Sequence, residues 1–130
     1  MITDGTIVSN VEGTAVLAKN AGSVELTNVQ VYATSGVNPL QCYGGTMTLN
    51  NVTASQSGSV TNGSVWYNSA IQVINQIKQN DEGKWVVYGQ QAELIVNSGT
   101  FTINPDSITT GQVRINGTVV DNGNGTWTVK

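Results

Sequence analysis

The chain has 130 residues, a net charge of −3 and 10% charged residues, against about 25% in ordinary globular domains. Its five scattered Lys and Arg give no basic stripe for phosphates, which excludes nucleic acid and an anionic membrane surface as partners. With no His and one Cys, neither a Cys–His pair nor an internal disulfide can form.

The polarity is neutral instead: 16 Thr, 15 Asn, 10 Ser and 15 Gly stand beside 18 Val. Thr and Val favour strands, while Gly and Asn supply turns. Regular apolar spacing argues against disorder. No apolar run is long enough to span a membrane. Ile2-Thr-Asp-Gly-Thr-Ile-Val8 is too short and polar for a signal peptide, so Met1 is not the natural start if the parent protein is secreted.

Residues 1–13 hold one short strand, Thr6-Ile-Val-Ser9, and read as an incomplete first coil or cap. Residues 14–104 read as repeat coils. In the first, Val16-Leu-Ala-Lys19 is a strand, Asn20-Ala-Gly22 a turn, and Val24, Leu26, Val29 and Val31 point inward. In the second the inward set is Leu40, Met47, Leu49, Val52 and Ala54. A degenerate third coil follows, with Val65, Ile71, Val73 and Ile77 as apolar positions. Alternation there favours strand, although Ile71, Ile74 and Ile77 also fit a helical turn. Gln79-Asn-Asp-Glu-Gly-Lys84 is a polar turn. Trp85-Val-Val-Tyr88 opens a fourth coil, which continues through Leu94, Val96, Phe101 and Ile103 and ends at Asn104-Pro-Asp106. Residues 105–130 form a last coil or cap, in which Asp121-Asn-Gly-Asn-Gly125 links Val119-Val120 to Trp127-Thr-Val129 as a hairpin.

These coils rest on a repeat. Gly22-Ser-Val-Glu-Leu-Thr-Asn-Val-Gln-Val31 is answered by Gly45-Thr-Met-Thr-Leu-Asn-Asn-Val-Thr-Ala54 and again by Ala92-Glu-Leu-Ile-Val-Asn-Ser-Gly-Thr-Phe101. The first step, Val24 to Met47, is 23 residues; the second, Met47 to Leu94, is 47, close to twice that. Leu17, Leu40 and Val87 keep similar offsets, as do Val31, Ala54 and Phe101. A fixed period predicts stacked repeats whose inward residues form ladders. A sandwich or immunoglobulin-like fold also accommodates short Val- and Thr-rich strands, but needs no constant offset. The expected fold is therefore all-β: one right-handed parallel β-helix module over 1–130, of four to five coils of about 23 residues, closed by a hairpin-like cap. Asn28, Asn51 and Ser98 would align as a polar ladder.

The candidate sites are few. Asp4, Glu12, Glu25, Asp81, Glu82, Glu93, Asp106 and Asp121 are dispersed, so neither a glycosidase pair nor a cation site is expected. Asp121-Asn-Gly-Asn-Gly-Thr126 has Gly where a Ca²⁺ loop needs its third and fifth oxygen ligands, so it reads as a turn. Cys42 lies in an apolar stretch and reads as a packed residue. Asn51-Val-Thr, Asn62-Gly-Ser, Asn116-Gly-Thr and Asn124-Gly-Thr match the glycosylation sequon, a match that arises by chance in Asn- and Thr-rich turns. The remaining group is aromatic: Tyr43, Trp66, Tyr67, Trp85 and Tyr88. Exposed on one face they would make a sugar platform, with Asn and Gln bonding the hydroxyls; packed inward they would only fill the third coil.

Asn97-Ser-Gly-Thr-Phe-Thr-Ile-Asn-Pro-Asp106 and Asp121-Asn-Gly-Asn-Gly-Thr-Trp-Thr-Val129 resemble the phrases that close β-rich repeats in large secreted surface proteins of Gram-positive gut bacteria. The likeness covers about a quarter of the chain and departs from that pattern at Ser98 and Trp127. The preceding coils resemble pectin-lyase-like β-helices in pattern, but Arg114 and the dispersed acids do not reproduce a lyase active site. The resemblance implies an extracellular, wall-associated location. The resulting expectation is a non-catalytic structural or adhesive module, with no cofactor or metal, whose partners are neighbouring modules, glycans or a host or cell-wall surface. The alternatives are a carbohydrate-binding module or a piece of a carbohydrate-active β-helix enzyme, and a phage fibre or tailspike segment, which trimerisation would mark.

Overall fold

The computed structural model describes residues 1–9, 14–34, 38–57 and 69–130. Among these, fourteen strands and one short 3-10 turn, Pro105–Ser107, are formed, with no α-helix. The strands are β1 (Ile2–Ser9), β2 (Val16–Lys19), β3 (Ser23–Ala33), β4 (Leu40–Tyr43), β5 (Thr46–Asn50), β6 (Val52–Gln56), β7 (Ile71–Ile74), β8 (Ile77–Gln79), β9 (Trp85–Val87), β10 (Glu93–Val96), β11 (Gly99–Phe101), β12 (Gln112–Ile115), β13 (Val119–Asp121) and β14 (Trp127–Val129).

Nine strands make one mixed sheet in the order β12-β10-β5-β3-β6-β11-β14-β13, with β1 paired to β3. This sheet curls into a half-barrel. The sheet β2-β4-β7 faces it, and β8 and β9 form a separate two-stranded hairpin.

The curl has a local cause. Asp4, Asn28 and Asn51 adopt φ of 57°, 56° and 52°, a left-handed conformation that Asn and Asp tolerate better than other side chains. Asn28 therefore bends β3 in mid-strand, and Asn51 separates β5 from β6. At the next level Gly99 has φ 151°, and a Cβ there would lie 2.2 Å from the Val52 carbonyl oxygen. Only glycine fits that close approach.

Inside the curl the register lines up apolar side chains. Leu26 pairs with Leu49 and Leu49 with Val96; Val24 with Met47 and Met47 with Leu94; Val31 with Ala54 and Ala54 with Phe101. Leu26, Met47, Leu49, Ala54, Leu94, Val96 and Phe101 are fully buried. The facing sheet adds Val16, Ala18, Leu40, Cys42, Ile71 and Val73 to the same core. Burial of each large side chain stabilises the fold by roughly 1.5–3 kcal/mol.

The expected right-handed parallel β-helix of four to five coils is overturned. The main sheet is mixed: β11 and β14 pair antiparallel, as do β14 and β13. The 47-residue offset is a single strand step, because β5 pairs directly with β10 with no strand between them. Among the described residues the intervening length forms no further strand between β5 and β10. Part of it is the hairpin β8–β9, so Trp85–Val87 does not open a coil. The offset of Leu17, Leu40 and Val87 fails too: Leu17 pairs with Gln41 and points outward, and Val87 sits on the hairpin, 48% exposed. Val65 of the expected third coil lies outside the described residues. The Asn-Gly-rich link at 121–125 does turn the chain, since Val119 pairs with Val129 and Asp121 with Trp127.

Candidate functional site

The five aromatic residues singled out above are spread across the molecule. Trp66 and Tyr67 lie outside the described residues. Tyr43 stands on the outer face of β4 between Lys19 and Ile74, its register partners on β2 and β7. It is half-buried, and with Leu17, Lys19, Gln41, Gln72 and Ile74 it lines a shallow depression of about 320 Å³.

Trp85 and Tyr88 belong to the hairpin arm. Ile77, Lys78 and Gln79 of β8 face Val87, Val86 and Trp85 of β9. Side chains alternate along a strand, so Trp85, Gln79, Ile77 and Val87 share one face. Trp85 is 65% exposed there. Lys78 is on the other face, its Nζ 5.5 Å from the centre of the Tyr88 ring, a cation–π contact. Trp85 and Tyr88 thus point to opposite sides of the arm and do not form one plane.

A second depression, of about 350 Å³, lies beside β7 and is lined by Ile71, Val73, Ile103 and Ile108 with Ser69, Gln72, Ser107, Thr109 and Thr110 at its rim. The Thr110 hydroxyl donates to the Val73 carbonyl across it. Among the described residues no charged side chain lines it, and those residues offer apolar contact and neutral hydrogen bonds.

The carboxylates serve local geometry. Glu93 pairs with Arg114 at 3.5 Å, and Glu25 accepts from the Asn50 amide at 3.3 Å. Asp121 accepts from the Gly123 N–H at 2.8 Å, an Asx turn that shapes the hairpin. Among the described residues no group of three or more Cys, Asp or Glu gathers as metal ligands would. Cys42 is buried, and its thiol donates to the carbonyls of Gly45 (2.9 Å) and Glu93 (3.4 Å). Burial pushes that thiol up from its ordinary value, the opposite of nucleophile activation.

The most extended polar feature is a pair of side-chain ladders along the bend of the main sheet. One runs from Asn51 to Asn28 (2.9 Å) to Asp4 (3.1 Å), and Ser98 Oγ accepts from the Asn51 N–H at 2.8 Å. The alignment of Asn28, Asn51 and Ser98 was legible from their offsets. The other runs from Asn116 to Asn97 (2.8 Å) to Asn50 (2.6 Å) to Thr27 (3.2 Å). Thr27, Asn50 and Asn97 keep the same offsets of 23 and 47 residues, and only Asn116, 19 residues after Asn97, departs from them. Two of the sequon asparagines, Asn51 and Asn116, have their amides committed to these ladders, Asn124 accepts from Thr126, and Asn62 lies outside the described residues.

Comparison with protein-family models, with curated proteins and with solved structures finds no match.

Proposed function

We propose that the chain is a non-catalytic structural or adhesive module of a bacterial cell-surface protein, a rigid extracellular element that holds or presents neighbouring modules. The observation that supports this most is where the polar side chains go. Thr27, Asn50, Asn97 and Asn116 bond to one another along the sheet and do not converge on a cleft. Such ladders stiffen a sheet. The chemistry of the charged residues agrees, since Glu93, Arg114 and Asp121 are engaged in local contacts.

A second reading, carbohydrate binding, rests on Trp85, whose ring is the most exposed large apolar side chain of the hairpin arm. One experiment separates the two. The purified chain is incubated with a panel of plant and bacterial polysaccharides and applied to a glycan array. The structural reading expects neither release of reducing ends nor array binding. Release of sugar would sink it. Array binding lost in Trp85→Ala would move the assignment to a carbohydrate-binding module.

A further inference from the structure

Four Asn-Gly pairs stand in the chain: Asn62-Gly63, Asn116-Gly117, Asn122-Gly123 and Asn124-Gly125. Such a pair can react with itself. The glycine nitrogen attacks the asparagine side-chain carbonyl, and glycine has no side chain to hinder the approach. Three local features set the rate: how readily the N–H sheds its proton, how strongly the carbonyl is polarised, and how free the side-chain amide is to move and leave. The first pair lies outside the described residues. In the other three the fold sets these features differently.

At Asn122 the reaction is opposed. The Gly123 N–H donates to the Asp121 carboxylate at 2.8 Å, and a carboxylate there disfavours the negative charge that the nitrogen must carry. The Asn122 amide nitrogen donates to Thr126 Oγ1 at 3.0 Å and to Thr128 Oγ1 at 2.9 Å, which ties the side chain back to β14. At Asn116 the amide nitrogen donates to Asn97 Oδ1 at 2.8 Å and so is held in the polar ladder. Asn124 is arranged otherwise. Its Oδ1 accepts from the Thr126 N–H at 3.2 Å and from the Thr126 hydroxyl at 2.6 Å. These two donors sit where negative charge develops during attack, and together they form an Asx turn that carries the side chain over the Gly125 peptide. Among the described residues neither the Gly125 N–H nor the Asn124 amide nitrogen has a hydrogen-bond partner. Solvent access does not separate the two sites of this turn: Asn122 and Asn124 are both exposed, and a Cβ on Gly123 or Gly125 would meet nothing within 4 Å. Hydrogen bonding does.

We propose that Asn124 is a self-modification site of the β13–β14 hairpin. The Gly125 nitrogen gives its proton to solvent hydroxide and bonds to Asn124 Cγ; the Cγ–Nδ2 bond breaks and ammonia leaves. The cyclic succinimide so formed takes up one water, which breaks either of its two C–N bonds and leaves aspartate or isoaspartate. Each event replaces a neutral amide by a carboxylate. Aspartate keeps an acceptor for Thr126. Isoaspartate routes the main chain through the former side chain, lengthens the link between the strands, and disturbs the pairing of Asp121 with Trp127 that leads to the buried Val129. For the test, the folded full chain is aged in mildly alkaline buffer made with water enriched in the heavy oxygen isotope, which marks each new carboxylate. Cleavage after Arg114 then yields residues 115–130, which hold all three described pairs, and fragmentation in the mass spectrometer places each conversion. Asn124 is expected to convert roughly tenfold or more faster than Asn122 or Asn116, and the three rates converge in denaturant. Thr126→Val slows Asn124 severalfold while Thr126→Ser, which retains the hydroxyl, does not. Asp121→Ala, at an exposed position, speeds Asn122. The aged chain melts below the Asn124→Asp variant, which carries the charge without the altered backbone. First conversion at Asn116 or Asn122, or the same relative rates folded and unfolded, overturns the proposal. So does an Asn124 rate indifferent to Thr126→Val, an Asn122 rate indifferent to Asp121→Ala, or an aged chain that melts with Asn124→Asp.

Discussion

Two stretches of this chain have nearly the same Val-rich alternation and end in opposite environments. In β3, Leu26, Val29 and Val31 are buried at the centre of the main sheet; in the hairpin β8–β9, Ile77, Trp85 and Val87 lie 49%, 65% and 48% exposed. Alternation makes both segments strands. It does not bury them. β3 is buried because its corner residue recurs: Asn28 and Asn51 bend consecutive strands at matched positions, so side chains at one offset stack in line. The hairpin has no matching corner, pairs only with itself among the described strands, and turns on Asn80, whose side chain accepts from the N–H groups of Glu82 and Lys84 at 2.9 and 3.0 Å.

The contrast is sharpest at the ladder centre. Leu49 lies between Leu26 and Val96 with no exposed surface. Leu49→Ala leaves a cavity and is expected to cost about 2–5 kcal/mol in urea unfolding. Gly99→Ala presses a methyl against the Val52 carbonyl and the Phe101 ring and is expected to cost about 1–3 kcal/mol. If either change is tolerated within error, the ladders are not what holds the sheet.

The polar ladder gives a smaller effect. Asn50 accepts from Asn97 and donates to Thr27 and Glu25, so Asn50→Ala breaks three bonds and is expected to cost about 1–2 kcal/mol. The pairing also predicts non-additivity: Asn97→Ala in that background adds less than it does alone. Independent, additive costs would mean that the amides are bonded to water instead. Cys42 adds a pH signature. Burial raises its thiol above the ordinary 9.0, so the unfolded chain loses that proton first as pH rises. Stability is unaffected by this group below pH 9.0 and falls above it. Cys42→Ala removes that alkaline slope.

The sequence made the ladders legible where the offset was 23, as in Val24–Met47 and Leu26–Leu49. It also marked the 121–125 turn, because consecutive Asn and Gly leave few other conformations. It misled at Met47–Leu94. An offset near twice the period reads as two levels, and only the pairing of β5 with β10 reveals one level carrying an inserted arm. Parallel and antiparallel strands share the same alternation, so Trp85-Val-Val looked like the start of a coil. Nothing in the pattern of Tyr43, Trp85 and Tyr88 disclosed that Tyr43 would fall on the facing sheet and the other two on opposite sides of the hairpin arm. Face assignment depends on residue parity within each strand, and the hairpin turn resets that parity.

The smallest expected effect tests the insertion directly. The base of the arm is closed by the Tyr88 N–H donating to the Gln76 carbonyl at 3.0 Å, so the chain enters and leaves within one hydrogen bond. Replacing 77–87 by a Gly-Ser link spans that gap without moving either end. An isolated two-stranded hairpin is marginal in water, and none of its large apolar side chains belongs to the core cluster. Its removal is expected to change unfolding free energy by less than about 1 kcal/mol and to leave the denaturant slope nearly unchanged, since little surface is buried there. A loss comparable to that of Leu49→Ala would show that the arm is part of the folding unit, and that the 47-residue step is an integral turn of the architecture and not an interruption of it.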